Sequence, residues 1–238
     1  PDDHKAAQKA AKQWASEAKS NMKAMRESCK LPGGLIAALF GRMVTSDVEA
    51  NIDAAIHVAH AFTVHEEESE SDYFTVVDDL HEREDDAGAD HIGETELTSG
   101  LFYGYVVVDR EMLLNNLGGD AEMAGEVVRR LVHLIASVSP GAKLGSTAPY
   151  AYANWLLIEA GDHQPRSLAE AFRDACDPTS DAAEQALQEH LERLDGCYGC
   201  HEARRSMSLA GRGVPNAEAG SLAELADWAG TATRTGAA

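Results

Sequence analysis

Cationic side chains are scarce in this sequence. Twenty Lys and Arg stand against 40 Asp and Glu, a formal charge of −20, and that balance alone argues against a nucleic-acid partner. Long apolar runs are also missing. Nothing approaches the ~20 residues of a membrane span, and no basic segment leading into an apolar core marks a secretory signal. The compartment expected by default is the cytoplasm, with no membrane partner. Four cysteines (Cys29, Cys176, Cys197, Cys200) are read as free thiols of a reducing cell. No Gly-rich phosphate loop, GxSxG elbow or HExxH pair occurs. With no nucleophile to name, an enzyme is not expected, nor is a cofactor or a metal. The chain opens on Pro1 and runs at once into a helical pattern, which reads as a segment of a longer protein.

The charge is unevenly distributed. Residues 66–96 hold 14 acids against Arg83 alone, whereas the first 30 residues carry seven Lys and Arg against four acids. Screening limits each patch to about 10 Å of reach, so a ligand feels the local field more than the sum. Apolar spacing of three and four predicts a helix over 4–30, ended by "LPGG", and a buried strand over 35–44 ("LIAALFGRMV"). Ser46 and Glu49 predict a capping box opening a helix through Phe62. An acidic stretch follows with one apolar island, "YFTVV". Further on, strands are expected over 100–110 and 149–161. Helices are expected at "REMLLNNLGG", at "DAEMAGEVVRRLVHLIASV", after Ser167, at "TSDAAEQALQEHLERLDG" and after Ser221, with a disordered "GTATRTGAA" tail. The sum is an α+β fold, a small sheet covered on one side by helices and carrying one polar excursion.

Three local patterns bear on chemistry. Cys197-Tyr198-Gly199-Cys200-His201 has the CxxCH spacing of covalent haem attachment, and its thiols and imidazole also suit a metal. No second axial ligand or second ligand pair is marked, so the end of a helix is the preferred reading. A small redox or metal-binding protein is the alternative function. His57 and His60, three apart on the expected helix, with His65, Asp78, Asp79 and His81 nearby, suggest a metal or acid-base group, against a plain half-buried helix. "LFYGYVVV" (101–108) puts Tyr103 and Tyr105 on one strand face and Phe102 on the other. That is a loose match to base-stacking sheets and a better one to core packing.

Taken together, "LFGRMVTSD", "IHVAHAFTVHEEESESDYFTVVDDL", "DHIGETELTSGLFYGYVVVDREMLLNNLGG" and "SPGAK" resemble the CasC-type (Cas-seven family) backbone subunit of the type I-E CRISPR Cascade complex. The likeness is collinear over about residues 35–145 and looser beyond. It implies an incomplete RNA-recognition-type (ferredoxin-like) palm with a helical fingers segment and an inserted thumb. The boundaries expected are fingers 1–34, palm 35–61, thumb 62–99, palm again 100–175, and a C-terminal helical region 176–238. The implied function is to polymerise along the CRISPR guide RNA and support target DNA recognition in antiviral defence, with further copies and other Cascade subunits as partners.

The resemblance also implies contact residues. Arg42 and Met43 of "GRMVTS" are both expected to contact nucleic acid, Met43 matching a methionine that wedges next to a displaced nucleotide. Phe74, Thr75 and Ile92 match thumb-tip positions that pack on the nucleic acid, and Lys143 matches a phosphate ligand. Lys19, Lys23 and Arg26 lie where family fingers meet duplex DNA. Two departures stand out. The family's first palm strand and basic helix have no counterpart, which predicts an unpaired or differently paired sheet edge. The thumb is acidic, which suits solvent or the basic face of a neighbouring subunit better than RNA.

Overall fold

The computed structural model describes residues 34–76, 91–139, 141 and 148–236. Its dominant local feature is a long antiparallel ribbon. β1 (Ile56–Val58) pairs with β6 (Val106–Val108), β2 (Phe62–Thr63) with β5 (Phe102–Tyr103), and β3 (Glu68–Val76) with β4 (His91–Ser99). The register moves from Ile56 opposite Val108, to Phe62 opposite Tyr103, to Glu68 opposite Ser99. Extra residues are thus accommodated between the paired stretches, where a ribbon bends and twists.

The helix predicted through Phe62 is therefore not formed. Only a 3₁₀ turn at Val48–Ala50 remains, with Asp47 at its N-cap making no side-chain cap bond. Ile56 and Val58 are β-branched and pair with the valines 106–108, so a non-local partner overrides the local helical period. The opposite correction applies to 35–44. This stretch forms helix α1 (Gly34–Phe40), burying Ala37 and Ala38. A short apolar run is ambiguous by period alone, and its Ala and Leu content favours helix. Residues 73–76 of the "YFTVV" island are the distal end of β3 rather than an island in a loop, and Val77 lies outside the described residues.

Helix α2 (Arg110–Asn116) and helix α3 (Ala121–Ser137) form as predicted. The side chains of Asp109 and Asp120 accept N-cap bonds from the Met112 and Met123 amides at 2.9 and 3.0 Å. Asn116 Nδ2 donates to the carbonyls of Ala38 and Asp53, both at 2.9 Å, tying α2 to α1 and to the segment before β1. α3 buries Ala124, Val128, Val132 and Ala136, one residue per turn on one stripe. That stripe meets helix α5 (Leu222–Thr235), which opens on the predicted Ser221–Glu224 capping box. α5 runs on to Thr235, well inside the tail expected to be disordered, with Ala229, Gly230 and Thr233 buried.

β7 (Trp155–Ala160) pairs antiparallel with β8 (Ala203–Ser208), and β8 pairs parallel with β9 (Glu218–Ala219). The region from 176 thus contains strands as well as helix α4 (Ser180–Tyr198). The "ARRSMS" strand carries a weak strand pattern because charged residues interrupt its alternation. After Ser167 there is a 3₁₀ turn, Ala169–Phe172, rather than a helix. The sheet is covered on both sides, not one. Leu156 and Ile158 of β7 pack into a core with α3 and α5, while Trp155 and Leu157 pack into a second core around Leu187 and Leu191 of α4. At the far end of β7 and β8, the buried Arg204 guanidinium grips Asp195 of α4 at 2.5 and 2.7 Å and Glu159 of β7 at 2.6 Å. Arg166 adds a second cation to Glu159, Asp195 and Glu202.

Candidate nucleic-acid interface

The loop leaving α1 is clamped from several directions. Gly41 takes φ +77°, and a Cβ there would sit 2.8 Å from the Ile52 carbonyl oxygen, so only glycine permits the approach. Arg42 and Ile52 then exchange main-chain bonds, Arg42 N–H to the Ile52 carbonyl at 2.8 Å and Ile52 N–H to the Arg42 carbonyl at 2.9 Å. The Arg42 guanidinium folds back, Nε and Nη2 donating to the Ala50 carbonyl at 3.3 and 2.9 Å. The Val44 amide donates to Asn51 Oδ1 at 2.6 Å. Met43 lies between these pinned neighbours with its side chain 82% exposed. A fixed backbone thus offers a flexible, polarisable thioether to solvent. Arg42 acts here as a brace.

The ribbon gathers the other sequence-predicted group. Thr75 stands opposite Ile92, and Phe74 opposite Gly93, next to the end of β3. The Phe74 ring lies over Gly93, where a Cβ would overlap it. Alternation puts Phe74 on the face of Glu70 and Asp72, and Thr75 on the other face with Tyr73, which is exposed. Glu94 and Glu96 stand opposite Tyr73 and Ser71, so carboxylates flank both faces up to the aromatic end. Phosphate attraction along this ribbon is weak; stacking and packing at its end are what it offers. β3 is nine residues long, on the order of 30 Å of strand at ~3.3 Å each, with Phe74 close to its outer end.

Lys19, Lys23, Arg26 and Lys143 lie outside the described residues, as does every lysine of the chain. Sequence reasoning missed Asn51 as a clamp and Gly93 as the seat for Phe74. Both depend on who faces whom, which is legible only once the register is known.

Other candidates resolve differently. Tyr103 is a core residue. Its ring packs at 5.5 Å from Phe62 and 5.7 Å from Phe172, and its hydroxyl accepts the Leu168 amide at 2.9 Å. His57 is in β1 and His60 in the turn before β2, so the shared helical face does not exist. The Leu101 amide donates to His65 Nε2 at 3.0 Å, which leaves the proton on Nδ1 to donate to the Glu66 carbonyl at 2.6 Å. Asp78, Asp79 and His81 lie outside the described residues. The CxxCH stretch is the end of α4, with Gly199 as C-cap at φ +83°. Both thiols are exposed, and His201 Nε2 donates to the Tyr198 carbonyl at 3.2 Å while its ring stacks on His163 at 4.6 Å. Among the described residues no three His, Cys, Asp or Glu side chains are grouped to hold a metal, and no helix is long and apolar enough to cross a membrane.

The CT1975-like protein family matches residues 2–228. The chain belongs to that family. The resemblance to a Cas-seven-type Cascade backbone subunit read from the sequence holds. No curated protein matches the chain. Among solved structures, this CT1975-like chain is similar to a chain of a "CRISPR RNA-guided surveillance complex, pre-nicking", with 30% identity and TM-score 0.76 over 83% of this chain. It spans 55% of that relative's length. A chain of a "CRISPR RNA-guided surveillance complex" gives 28% identity and TM-score 0.74 over 92% of this chain and 84% of its own.

Proposed function

We propose that this chain is a CRISPR-RNA-binding backbone subunit of a type I-E Cascade surveillance complex, a scaffold without catalytic chemistry. It assembles in several copies along the guide and, with other Cascade subunits, supports target DNA recognition in antiviral defence in the cytoplasm. The observation that carries this reading is the likeness to two surveillance-complex chains at 30% and 28% identity. The geometry supports it. Residues 62–99 act as the thumb, residues 35–61 and 100–175 as an RNA-recognition-type palm, and residues 1–34 as fingers. The ribbon's reach suits laying Phe74, Thr75 and Ile92 against guide bound to a neighbouring copy, while Met43 wedges beside a displaced base. Lys143, Lys19, Lys23 and Arg26 supply the phosphate and DNA contacts that the acidic ribbon cannot. Guide pairing then reads sequence and the protein reads backbone.

The test is guide-RNA binding by filter retention across a salt series, with chemical probing of the bound RNA. Binding that weakens with salt and a six-nucleotide reactivity period are expected, the period fading in Met43→Ala and Phe74→Ala. Arg42→Ala should weaken binding like Met43→Ala while leaving the salt slope unchanged, since its guanidinium braces the Ala50 carbonyl. A phosphate ligand would instead lower the slope by about 1. Absence of RNA affinity, or uniform reactivity along the bound guide, would overturn the proposal.

A further inference from the structure

The ribbon leaves the body at a joint where its ladder is diverted. Residues 64–67 stand between β2 and β3, but only 100 and 101 between β4 and β5, so the two strands fall out of step here. Val64 N–H donates to the Leu101 carbonyl at 3.0 Å. The return bond of such a pair would run from the Leu101 N–H to the Val64 carbonyl. That carbonyl is engaged elsewhere: it accepts from the Cys176 N–H at 3.0 Å and from Cys176 Sγ at 3.2 Å. The Val64 side chain is meanwhile buried in the core around Phe172 and Leu187. The Leu101 N–H donates instead to His65 Nε2 at 3.0 Å. A side chain replaces the main-chain acceptor.

Gly100 leaves room for the ring against the opposing strand, since a Cβ there would lie 3.1 Å from both His65 Nε2 and Thr63 Cγ2. On the other edge of the ring, Nδ1 lies 2.6 Å from the Glu66 carbonyl oxygen. The two bonds fix opposite roles: Nδ1 carries the proton and Nε2 is bare. Only the neutral ring can do this. An imidazolium has an N–H at both positions, and its Nε2–H would confront the Leu101 N–H, donor against donor. The titratable groups around the ring are Glu66 and Glu67 on its own strand, with the Cys176 thiol and Asp177 in the segment behind Val64. Residues 99–101 of the opposing strand carry none. Burial pushes the Cys176 thiol up. Of these side-chain types, imidazole is the one that ordinarily changes charge between about pH 8 and pH 5.

We infer that His65 is the positioning residue of the ribbon and makes its base a proton-sensitive joint: the neutral ring holds β3 and β4 at a set angle to the body, and protonation at Nε2 frees them. The sign follows from the bonding. The Leu101 bond needs a bare Nε2, so it is intact at high pH and lost as pH falls through the titration of the ring. Losing it does not unfold the body, because Val64 keeps its bonds to Leu101 and Cys176 and its place in the core. What changes is the freedom of the outer ribbon. Among the described residues β3 and β4 pair only with each other, and Glu66 and Glu67 are already exposed. Two strands alone hold no fixed direction. The joint works in the free chain, whether or not RNA binds.

The experiment follows the isotope-labelled full chain by NMR from about pH 8 to about pH 5. Proton–nitrogen correlation of the His65 ring reads the tautomer. Amide exchange, taken as protection relative to the unfolded chain at the same pH, reads the Leu101 bond, and backbone order parameters read the ribbon. The ring should carry its proton on Nδ1 at the upper pH. Leu101 protection should then fall about tenfold towards the lower, with order parameters of β3 and β4 dropping alongside while α3 and α5 stay unchanged. His65→Gln, whose side-chain oxygen accepts the Leu101 N–H without titrating, should keep the bond and abolish the pH response. His65→Ala should be loose throughout. A ring protonated on Nε2 at the upper pH overturns the inference, as does Leu101 protection independent of pH or a ribbon that stays ordered when the ring is charged. So does a pH response kept in His65→Gln, which would place it on the exposed His57 or His60. The native chain and His65→Gln decide the matter even where His65→Ala does not fold, and RNA is absent from the assay, so its outcome is separable from that of the functional proposal.

Discussion

At the scale of single residues, Arg204 shows how much of this fold hangs on charge that is invisible in the overall balance. Its side chain is fully buried against Asp195 and Glu159, so it is well compensated where it stands. Removing it leaves two largely buried carboxylates with Arg166 as their remaining cation. Arg204→Ala is expected to cost about 3–5 kcal/mol, read as a lower urea midpoint at unchanged m-value. The same site sets an acid limit. The Arg204 hydrogen bond, with Arg166 helping against burial, holds the Asp195 carboxyl below its usual range. A depressed acid contributes stability above its unfolded pKa of about 3.9 and loses it as pH falls through the folded value. Stability of the native chain should therefore drop below about pH 4. Asp195→Asn, starting lower, should show a shallower drop over that window in pH-dependent urea titrations.

Between elements, close approach decides. α3 and α5 cross where Gly125 meets Gly230; a Cβ on Gly125 would lie 2.6 Å from the Gly230 carbonyl oxygen and collide with the Arg234 stem. Both glycines are buried, and the crossing seals the core that seats β7. Gly125→Ala gains helix propensity of up to ~1 kcal/mol but must force the helices apart, at roughly 1–3 kcal/mol. A net loss of Tm is expected by calorimetry, whereas Gly196→Ala, near the exposed end of α4 with open space around it, should not lower it. Helix α3 and the Ser221 cap of α5 were legible in the sequence because they are local. The ribbon was not, because Ile56–Val58 finds its partner some fifty residues away at Val106–Val108.

For the whole molecule, the body, with helices on both sides of its sheet, and the β3–β4 end of the ribbon should behave as different solids. Two strands alone are marginal in water, and around Glu70–Thr75 and Glu94–Thr98 the described side chains are mostly exposed. Amides of β3 and β4 should exchange faster by at least tenfold than those of α3 and α5, and slow when guide RNA binds. Equal protection in the free chain would count against a ribbon that gains its order from its partner. The charge asymmetry points the same way: acids crowd residues 66–96, while the lysines lie elsewhere.

The sequence by itself determined the family, helices α2 and α3 and the Ser221–Glu224 cap of α5, because motifs, period and capping are local in the chain, while the grouping of Phe74, Thr75 and Ile92 came with the family resemblance. Only the tertiary structure decided that 34–40 is helix, that 56–58 and 62–63 are strands, that Tyr103 packs against the core, and that the Arg42 guanidinium folds back onto the Ala50 carbonyl. The reason is physical: each of those outcomes turns on a partner distant in sequence, and the energy of a strand edge, a buried ring or a folded-back guanidinium belongs to the pair.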